Sequence, residues 1–466
     1  MLRLAKFCRP SLGSGRMARS GNDVDMAIRS GGHMWIPGAS NADGGVTLDL
    51  RGLNTIEVRG ADAADSRSTS DHPASPASLA ATIVSVGVGA TWDAVYAKLD
   101  PLGLSVAGGR VGGVGVGGLT LGGGLSFFGP RYGWTCDTVS AFEVVLANGS
   151  IVEANTQSNP DLFQALKGGS SNFGVVTRVD LIAFEQQGLW FGNVGYPLST
   201  IDAQAAIVAD MTRPESYDPG ASFIMGFAYS QAQGGVELIN NQLAYTLPFP
   251  GQGEGISPSY YQELMALDTI FSSSITSNMT TLARQAASFL PPGEARYLFA
   301  TTTFLPTERM LRAAFDAWNS SLTDELKAIR GLTWSLSLDP VPQILYQHHH
   351  RHNTKSKNAL GLDDRQTTNV TGTLVICLLS PVWEDAADDE RVYAAARQLI
   401  TDIEEAARRL HAYDRFLYLN YAADWQDPIA SYGKGSVEML RKVRDRVDPD
   451  AVFMRRFPGG FKIPEA

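Results

Sequence analysis

The chain reads Val116-Gly117-Gly118-Leu119-Thr120-Leu121-Gly122-Gly123-Gly124, a stretch in which five of nine residues are glycine, and Tyr132-Gly133-Trp134 follows it. A second cluster, Arg29-Ser30-Gly31-Gly32-His33, lies upstream. Because glycine has no Cβ and tolerates positive φ, glycine-rich backbone can bring its amides close to a ligand. Two such clusters with one nucleophilic imidazole predict a site for a flat, phosphate-bearing cofactor, to which His33 can bond covalently.

Further motifs follow in a fixed order along the chain. They are Cys136-Asp137 after Trp134, then Gly168-Gly169-Ser170-Ser171-Asn172-Phe173-Gly174-Val175-Val176-Thr177, and finally Tyr418-Leu419-Asn420-Tyr421-Ala422 and Asp448-Pro449-Asp450-Ala451-Val452-Phe453. With these motifs the sequence resembles the covalent FAD-linked oxidases of the vanillyl-alcohol oxidase superfamily. Within it, the sequence is similar to the berberine-bridge-enzyme-like branch of fungal secondary metabolism. The resemblance extends from Ile28 to Phe461.

The resemblance implies that FAD is the cofactor and that His33 bonds to the 8α-methyl group of its ring. Some relatives add a thioether from a cysteine at the position of Val111. Since Cys136 lies elsewhere in the pattern, we expect a single link through His33 and a packed thiol at Cys136. A hydrogen-bonded loop histidine is the alternative. The residues expected at the cofactor are Arg29, Ser30, Gly31, Gly32, His33, Gly115, Val116, Gly117, Gly118, Leu119, Gly122, Gly123, Gly124, Tyr132, Gly133, Gly174, Val175, Val176 and Asn420.

A flavin oxidase also needs a base that takes the proton released as hydride leaves the substrate. The resemblance assigns this role to Tyr421, with Tyr418 as a second active-site tyrosine. If the segment is extended, two residues three apart point to opposite faces. Because a phenol has a pKa of ~10, Tyr421 needs a neighbouring cation or the field of the flavin, and the sequence identifies no such cation. The alternative is that both tyrosines are core residues with satisfied hydroxyls.

The arrangement of elements predicts an α+β fold with two domains, the FAD-binding oxidase fold that the resemblance also implies. Short β-prone runs without a strict β-α-β rhythm come first, and longer strands with amphipathic helices between them follow. The second part predicts an antiparallel sheet covered by helices on one face, with the open face towards the flavin. The expected segments are a disordered or targeting segment 1–21, an FAD-binding domain 22–188, a substrate domain 189–411 and a C-terminal segment 412–466 that returns to the FAD domain.

Several local patterns give specific predictions. Asn148-Gly149 between two β-prone runs predicts a tight hairpin. Val236 to Tyr245 and Tyr297 to Phe304 each predict one strand of the second sheet, and Ala386 to Leu410 predicts a long amphipathic helix. The stretch Gly60 to Ser78, rich in Ala, Ser and Asp, predicts an exposed insertion without fixed structure.

Two competing motifs are weaker than the flavin pattern. Gly113-Val114-Gly115-Val116-Gly117-Gly118 superficially fits the dinucleotide fingerprint G-x-G-x-x-G, but it continues through more glycines and lacks the expected strand–helix context. The run Gln347 to His352 contains four histidines. Adjacent histidines in a Lys-, Asn- and Arg-rich stretch are more typical of a solvated loop than of a metal site. We therefore expect no metal.

Composition argues against two classes of partner, nucleic acids and the membrane interior, but it does not decide the cellular compartment. A net charge of −10 argues against a nucleic-acid surface, and no stretch approaches the ~18 consecutive apolar residues of a membrane span. Three cysteines cannot form a disulfide framework. Met1 to Gly21 is basic but lacks the apolar core of a signal peptide. Sequons such as Asn278-Met279-Thr280 would be used only in the secretory pathway, so localisation stays open.

Together these features predict an FAD-dependent oxidoreductase. We expect an oxidase of secondary-metabolite biosynthesis that transfers hydride from a small organic substrate to flavin and then electrons to molecular oxygen, releasing hydrogen peroxide. A carbohydrate oxidase of the same fold is one alternative, and Val111 in place of cysteine counts against it. Relatives usually carry a longer segment before Arg29 that contacts the adenosine diphosphate, so a flavin-binding protein without turnover is a second alternative. Neither the substrate nor the oligomeric state follows from the sequence.

Overall fold

The computed structural model describes residues 24–60, 82–250, 256–290, 295–346, 357–362 and 372–465. Three predictions concern residues outside these ranges: the segment 1–21, residues 61–78 of the expected insertion, and the histidine-rich run 347–352. Within the described ranges, two antiparallel sheets form the framework, and the candidate site lies against one face of the larger sheet.

The first sheet has five antiparallel strands from the N-terminal part of the described chain. Val175–Ile182 lies at its centre, between Ile83–Gly87 and Val139–Val145. The edge strands are Ile56–Arg59 and Ile151–Asn155. Because every pairing is antiparallel, this sheet is not the parallel sheet that a dinucleotide fingerprint would require.

Two local features of this region bear on the predictions. The hairpin at Asn148-Gly149 is confirmed, since it joins the paired strands Val139–Val145 and Ile151–Asn155, and Gly149 adopts a φ of 81°. A separate parallel pair, Met26–Arg29 with Val46–Asp49, ends immediately before Ser30. The carboxyl end of its first strand therefore presents the first glycine cluster.

The helices of this region are short. They are Trp92–Leu99, Val116–Leu121, Gly129–Tyr132 and Pro160–Leu166, with 3-10 turns at Asp100–Leu102 and Thr135–Thr138. The glycine-rich run is thus partly helical, because Val116–Leu121 forms a helix of about 1.7 turns before the three glycines that follow. A two-residue strand pair, Leu104–Ser105 with Phe184–Glu185, completes the region.

The second sheet has ten antiparallel strands. Thr333–Val341 lies near its centre and pairs with Ala221–Ser230 on one side and Leu374–Leu379 on the other. In spatial order the main strands are Phe271–Ser277, Leu189–Tyr196, Val236–Tyr245, Ala221–Ser230, Thr333–Val341, Leu374–Leu379, Ala300–Phe304 and Tyr413–Asp414, while Val382–Trp383 pairs with Arg296–Tyr297 and with Thr333.

The two faces of the second sheet differ because side chains alternate along each strand. Trp334, Leu336 and Leu338 are buried in the core shared with the helices, whereas Thr333 and Ser335 face the cavity. The covering helices are Ile201–Met211, Glu308–Ser321 and Asp389–Arg409. Other helices and turns are Leu198–Thr200, Ser259–Tyr261, Gln262–Met265, Met279–Ser288, Asp324–Lys327, Gln343–Tyr346 and Ala386–Asp388.

The strand predictions for this sheet are partly confirmed. Val236–Tyr245 is a strand over the predicted residues. Tyr297 to Phe304 is not one strand, because Arg296–Tyr297 pairs with Val382–Trp383 whereas Ala300–Phe304 pairs with Leu374–Leu379. The break leaves Phe299 between the two strands, where it lines the cavity.

The C-terminal residues return to the first sheet. Helix Lys434–Val447 meets Pro160–Leu166, where Arg446 forms an ion pair of 2.8 Å with Asp161. Asn172 donates to the Phe461 carbonyl at 3.1 Å. The remaining elements of this part are Leu419–Tyr421, Pro428–Ser431 and Val452–Arg455. The mixture of helices and sheets confirms the α+β fold, while the exact domain boundaries stay a prediction.

Candidate active site

A cavity of about 500 Å³ lies between the glycine clusters and the open face of the second sheet. It brings together eleven of the predicted site residues from three distant parts of the chain. They are Ser30, Gly31, Gly32, His33, Gly115, Gly117, Gly118, Leu119, Tyr418, Asn420 and Tyr421.

Ser30 and two glycines join the two clusters into one wall. The Ser30 hydroxyl donates to the Val88 carbonyl at 2.5 Å and accepts from the Gly117 amide at 3.2 Å. A Cβ on Gly31 would lie 2.4 Å from the Gly115 nitrogen, and a Cβ on Gly115 would lie 2.2 Å from the Gly31 nitrogen. These glycines are therefore required because two backbones touch there.

Gly118 has a different role, because a Cβ at this position would meet nothing within 4 Å and would project into open space. In the same cavity, the Trp35 indole nitrogen is buried and has no hydrogen-bond partner among the described residues. Buried polar atoms are normally paired, so this donor is suited to a polar group of a bound ligand. An open glycine wall and an orphaned donor fit a flat cofactor such as FAD.

His33 lies in the cavity wall with its ring centroid 5.0 Å from that of Trp35. Burial lowers the pKa of its imidazole, because the protonated form is the charged one. The ring is therefore neutral at pH 7, and a neutral imidazole keeps the nitrogen lone pair that covalent attachment requires.

The three glycines after the short helix, Gly122, Gly123 and Gly124, lie next to the segment that carries the two tyrosines, and none of them lines the cavity. Gly123 and Gly124 have positive φ angles of 108° and 91°. The turn presents the Gly124 and Leu125 amides to the Tyr418 hydroxyl at 3.1 and 3.0 Å. Asn420 donates to the same hydroxyl at 3.0 Å, and a Cβ on Gly122 would lie 2.0 Å from the Asn420 side-chain oxygen.

Other predicted cofactor residues lie outside the cavity lining. They are Arg29, Val116, Gly122, Gly123, Gly124, Tyr132, Gly133, Gly174, Val175 and Val176. Arg29 donates to the Ser40 carbonyl at 3.0 Å, and Tyr132 stacks on Phe184 with centroids 3.9 Å apart. Gly174 packs against Val144, and the two valines after it are strand residues of the first sheet. Their contact with a cofactor stays a prediction.

The geometry expected for the two tyrosines is wrong. Leu419–Tyr421 forms a 3-10 turn rather than an extended segment, and residues three apart in such a turn share one face. The Tyr418 and Tyr421 rings therefore meet edge to face with centroids 4.8 Å apart, and both line the cavity.

Tyr421 has two partners that the sequence did not identify. Its hydroxyl accepts a hydrogen bond from Arg110 at 2.7 Å and donates to Asp339 at 3.2 Å. Arg110 also forms an ion pair of 2.7 Å with Asp339. Arg110 was missed although it adjoins Val111 in the glycine-rich segment. Asp339 carries the only charge in its strand Thr333–Val341, an available but weak signal.

Burial dominates the electrostatics of both tyrosines. It raises the pKa of Tyr421 well above its usual value; the Arg110 charge lowers that pKa, and the Asp339 charge raises it. Burial likewise raises the pKa of Tyr418 to about 12, although hydrogen bonds from Asn420 and from the Leu125 and Gly124 amides oppose the shift. Both residues are therefore neutral phenols at pH 7.

Aromatic side chains form the wall next to Tyr421. Trp35 stacks on Tyr297 with centroids 4.1 Å apart, and Phe299 meets Trp35 edge-on at 5.8 Å. Hydroxyl groups on the sheet face are partly engaged, since Ser335 and Ser380 are 2.9 Å apart and bonded to each other. The arrangement can hold a planar molecule beside the Tyr421 hydroxyl.

The described residues place no cysteine in the cavity wall, where Val111 lies instead. Cys136 is buried beside Asp137, and Cys377 is buried in the second sheet. Among the same residues, no group of three potential ligands could hold a metal ion, and no helix is long and apolar enough to cross a membrane.

Comparison with known proteins identifies the family. Residues 17–155 match the family described as FAD binding domain. The chain is 39% identical over 448 residues to the protein named Oligopeptidase PhomG' from Diaporthe leptostromiformis, but this match covers 96% of the chain and only 32% of that protein. It is 34% identical over 460 residues to the FAD-dependent monooxygenase tpcD of Cochliobolus heterostrophus, covering 96% of this chain and 81% of the relative.

Solved structures share the fold. 6-Hydroxy-D-nicotine oxidase from Arthrobacter nicotinovorans superimposes with a TM-score of 0.72 at 20% identity, covering 99% of this chain and 89% of that one. Glucooligosaccharide oxidase from Acremonium strictum, which carries a 6-S-cysteinyl, 8α-N1-histidyl FAD, gives 0.66 at 17% identity, covering 94% and 86%. The chain therefore shares the fold of these flavoprotein oxidases and belongs to the FAD-dependent oxidoreductases, with fungal FAD-dependent monooxygenases among its relatives.

Proposed function

We propose that this FAD-dependent oxidoreductase is an oxidase of secondary-metabolite biosynthesis that acts on a small organic molecule. The observation that carries the proposal is the Tyr421 hydroxyl, which lies in the same cavity as His33 and is hydrogen-bonded to Asp339 and Arg110. Bound FAD would accept a hydride, which carries two electrons and a proton, from a substrate C–H bond, and it would pass the two electrons to molecular oxygen, giving hydrogen peroxide.

Tyr421 would act as the base through a relay. Because its pKa is raised, the phenolate is scarce at neutral pH, and a direct role as phenolate is unfavourable. Its hydroxyl already donates to Asp339, so it can accept a proton from a substrate hydroxyl while passing its own proton to that carboxylate. Arg110 holds both groups in place by donating to each of them.

His33 would hold the cofactor through a single covalent bond. The support is its neutral imidazole in the cavity wall and the lack of a thiol there among the described residues. The glucooligosaccharide oxidase of Acremonium strictum has both a cysteinyl and a histidyl link. Val111 supplies no sulfur, so the described residues of the cavity wall offer a histidyl link and no cysteinyl link.

Monooxygenation is a second candidate, favoured by the name of the 34%-identical relative from Cochliobolus heterostrophus. In that case one atom of molecular oxygen would enter the product, the other would leave as water, and no hydrogen peroxide would be released. A carbohydrate oxidase is less supported, because sugars need many hydrogen-bonding groups and Ser335 and Ser380 already satisfy each other.

The experiment is anaerobic mixing of the yellow purified protein with candidate substrates, followed by admission of ¹⁸O₂. If the protein is an oxidase, its flavin is bleached by the substrate before oxygen is added. After oxygen is added, one molecule of hydrogen peroxide is released for each product molecule, and the product contains no ¹⁸O. Label in the product with little peroxide would support monooxygenation. Failure of every substrate to bleach a fully flavin-loaded protein would favour a flavin-binding protein without turnover.

A further inference from the structure

One end of the ten-stranded sheet is a long strand whose outer side pairs with no other strand among the residues that the structure describes. This outer edge strand, Phe271–Ser277, pairs on its inner side with Leu189–Tyr196 over seven consecutive residues and without a bulge. The backbone N–H and C=O groups that point away from the sheet therefore form a regular row, and such a row can accept a further strand.

The outer edge strand exposes apolar side chains from a fixed backbone. Ile275 is 46% exposed and Phe271 is 41% exposed, while Ile270, immediately before the strand, is 55% exposed. The strand itself is held in place, because a Cβ on Gly195 would lie only 2.2 Å from the Phe271 ring and the Ile270 amide donates to the Gly195 carbonyl at 2.7 Å. Apolar groups presented in this way are typical of a contact surface.

The outer edge strand also lacks the protection that other edges of this protein have. Edge strands are commonly guarded against pairing by charged residues, prolines or bulges. Three other edge strands of the two sheets each contain at least one charged residue, namely Ile56–Arg59, Ile151–Asn155 and Tyr413–Asp414. The outer edge strand contains no charged residue and no proline, and the chain has no charge anywhere from Thr269 to Ala283. This edge is therefore suited to pairing.

The lack of charge favours a second copy of this chain as the occupant. When a strand pairs with its own copy about a twofold axis, side chains near the axis meet identical side chains, so a charged residue there would face a like charge. Because the whole chain carries a net charge of −10, a contact between two copies needs an uncharged surface such as this one. A different protein could be recognised by complementary charges, and the outer edge strand offers none.

Symmetry restricts the register of such a pair. An antiparallel pair of identical strands has its twofold axis perpendicular to the sheet, so each side chain stays on its own face and one residue must lie opposite itself. The register that pairs all seven residues places Ser274 on the axis. Ile275 then lies opposite Ser273 of the second copy, so that a bulky side chain faces a small one, and the two Ile275 side chains meet diagonally across the axis.

We propose that the outer edge strand is a homodimer interface, in which two copies pair antiparallel about a twofold axis at Ser274. The two sheets join into one continuous sheet, with both open faces on the same side. A single pair of seven-residue strands buries less than the ~1,200–2,000 Å² of a standard stable interface, so the dimer should form reversibly. This proposal goes beyond the catalytic function and does not depend on it.

The first test is sedimentation velocity of the FAD-loaded protein at concentrations from about 1 to about 200 μM. We expect the wild-type protein to shift from one chain to two as its concentration rises. Ile275→Lys brings two ammonium groups together across the axis, so it should raise the dissociation constant at least about tenfold. Because Ile275 is largely exposed, the flavin content and the melting temperature of this variant should match those of the wild-type protein.

Ile151→Lys is the matched control. Ile151 is 44% exposed and also lies on an edge strand, but that strand belongs to the first sheet and already carries Glu153. This variant makes the same change in charge and in exposed apolar surface, so it should dimerise as the wild-type protein does.

The second test examines the register by oxidative cross-linking. Residues opposite each other in an antiparallel pair have Cα atoms about 4.5–5.5 Å apart, which is within the span of a disulfide. Ser274→Cys should therefore give a disulfide-linked dimer. In Ser277→Cys the two thiols are about 20 Å apart along the strands, so this variant should give no more cross-linking than the oxidised wild-type chain.

Several results would overturn the proposal. A wild-type protein that stays monomeric over the whole concentration range would leave this edge to a different partner, and an Ile275→Lys variant that dimerises normally would place the contact elsewhere. Association beyond two copies would also contradict it, because a closed twofold contact stops at two. Stronger cross-linking through Ser277→Cys than through Ser274→Cys would exclude the proposed pairing. None of these readouts measures flavin reduction, so their failure is distinct from failure of the proposed function.

Discussion

Replacement of Tyr421 by phenylalanine removes one oxygen atom and two hydrogen bonds, to Arg110 at 2.7 Å and to Asp339 at 3.2 Å. The ion pair between those two residues survives, so no charge is left without its partner. A hydrogen bond to a charged group contributes about 1.5–3 kcal/mol, and Tyr421 is only partly buried, so the lower end applies and the variant should lose about 3 kcal/mol of unfolding free energy. Domains typically have about 5–15 kcal/mol, so the variant stays folded.

The effect on catalysis should be much larger than the effect on folding. A positioned base contributes about 10²–10⁴-fold to the rate, whereas a loss of about 3 kcal/mol in stability leaves nearly all molecules of an ordinary domain native. We expect flavin reduction to slow by that factor while flavin content is unchanged. The measurement is anaerobic stopped-flow bleaching, with a melting curve of the same preparation.

Tyr432→Phe is the matched control. Tyr432 is a buried tyrosine whose hydroxyl donates to the Gly168 carbonyl at 3.0 Å, but it does not line the cavity. Its variant should lose about 1 kcal/mol of stability and bleach at the wild-type rate. If Tyr421→Phe behaves in the same way, the tyrosine belongs to the scaffold and the proposed base is wrong.

Four other outcomes are expected. Flavin colour should stay with the acid-precipitated wild-type polypeptide and move to the supernatant in His33→Ala; a white wild-type pellet would refute the covalent bond. Cys136→Ala should leave the attached flavin and its spectrum unchanged, and peptide mass spectrometry that found flavin on Cys136 would contradict this. In the double variant Tyr421→Phe/Asp339→Asn, the rate of flavin reduction should be no lower than in the slower of the two single variants, because residues that act in one relay have non-additive effects. A rate loss equal to the product of the two single losses would instead show that the residues act independently. Burial lowers the pKa of Lys462 to about 8, below the ~10.4 of an unfolded chain, so unfolding free energy should rise between pH 8 and pH 10.4. Lys462→Met should make the rise in unfolding free energy smaller by about 1–2 kcal/mol, a value reduced because solvent screens a partly exposed group. The measurement is urea titration of both proteins at pH 8 and at pH 10.4.

Local sequence patterns were sufficient for much of the framework. Val236–Tyr245 follows from alternation, and the hairpin at Asn148-Gly149 follows from turn chemistry, because both depend on neighbouring residues. The placement of His33 in the cavity follows from a motif. The break between Tyr297 and Ala300 could not be predicted, because it depends on two different partner strands.

The contacts around the proposed base show where sequence analysis reaches its limit. Arg110 is 229 residues from Asp339 and 311 residues from Tyr421, and no local pattern reports contacts at such separations. The contact between the Tyr418 and Tyr421 rings was also not predicted, because the 3-10 turn that brings them together contains no glycine or proline to indicate it. The sequence analysis expected a cation beside Tyr421 but could not name it; the fold places Arg110 there, although burial still keeps the tyrosine neutral.

The glycines of the two clusters perform three physically different tasks, and only some of them line the cavity. Gly31 and Gly115 allow two backbones to touch, whereas Gly118 leaves space in the cavity. Gly124, with its positive φ, presents an amide to Tyr418, and the contact between Gly122 and Asn420 fixes the start of the turn that carries Tyr421. The cofactor motif therefore also positions the proposed base. A change in the glycine run would alter flavin binding and proton transfer together, because the cavity wall and the tyrosine turn share one short segment of backbone.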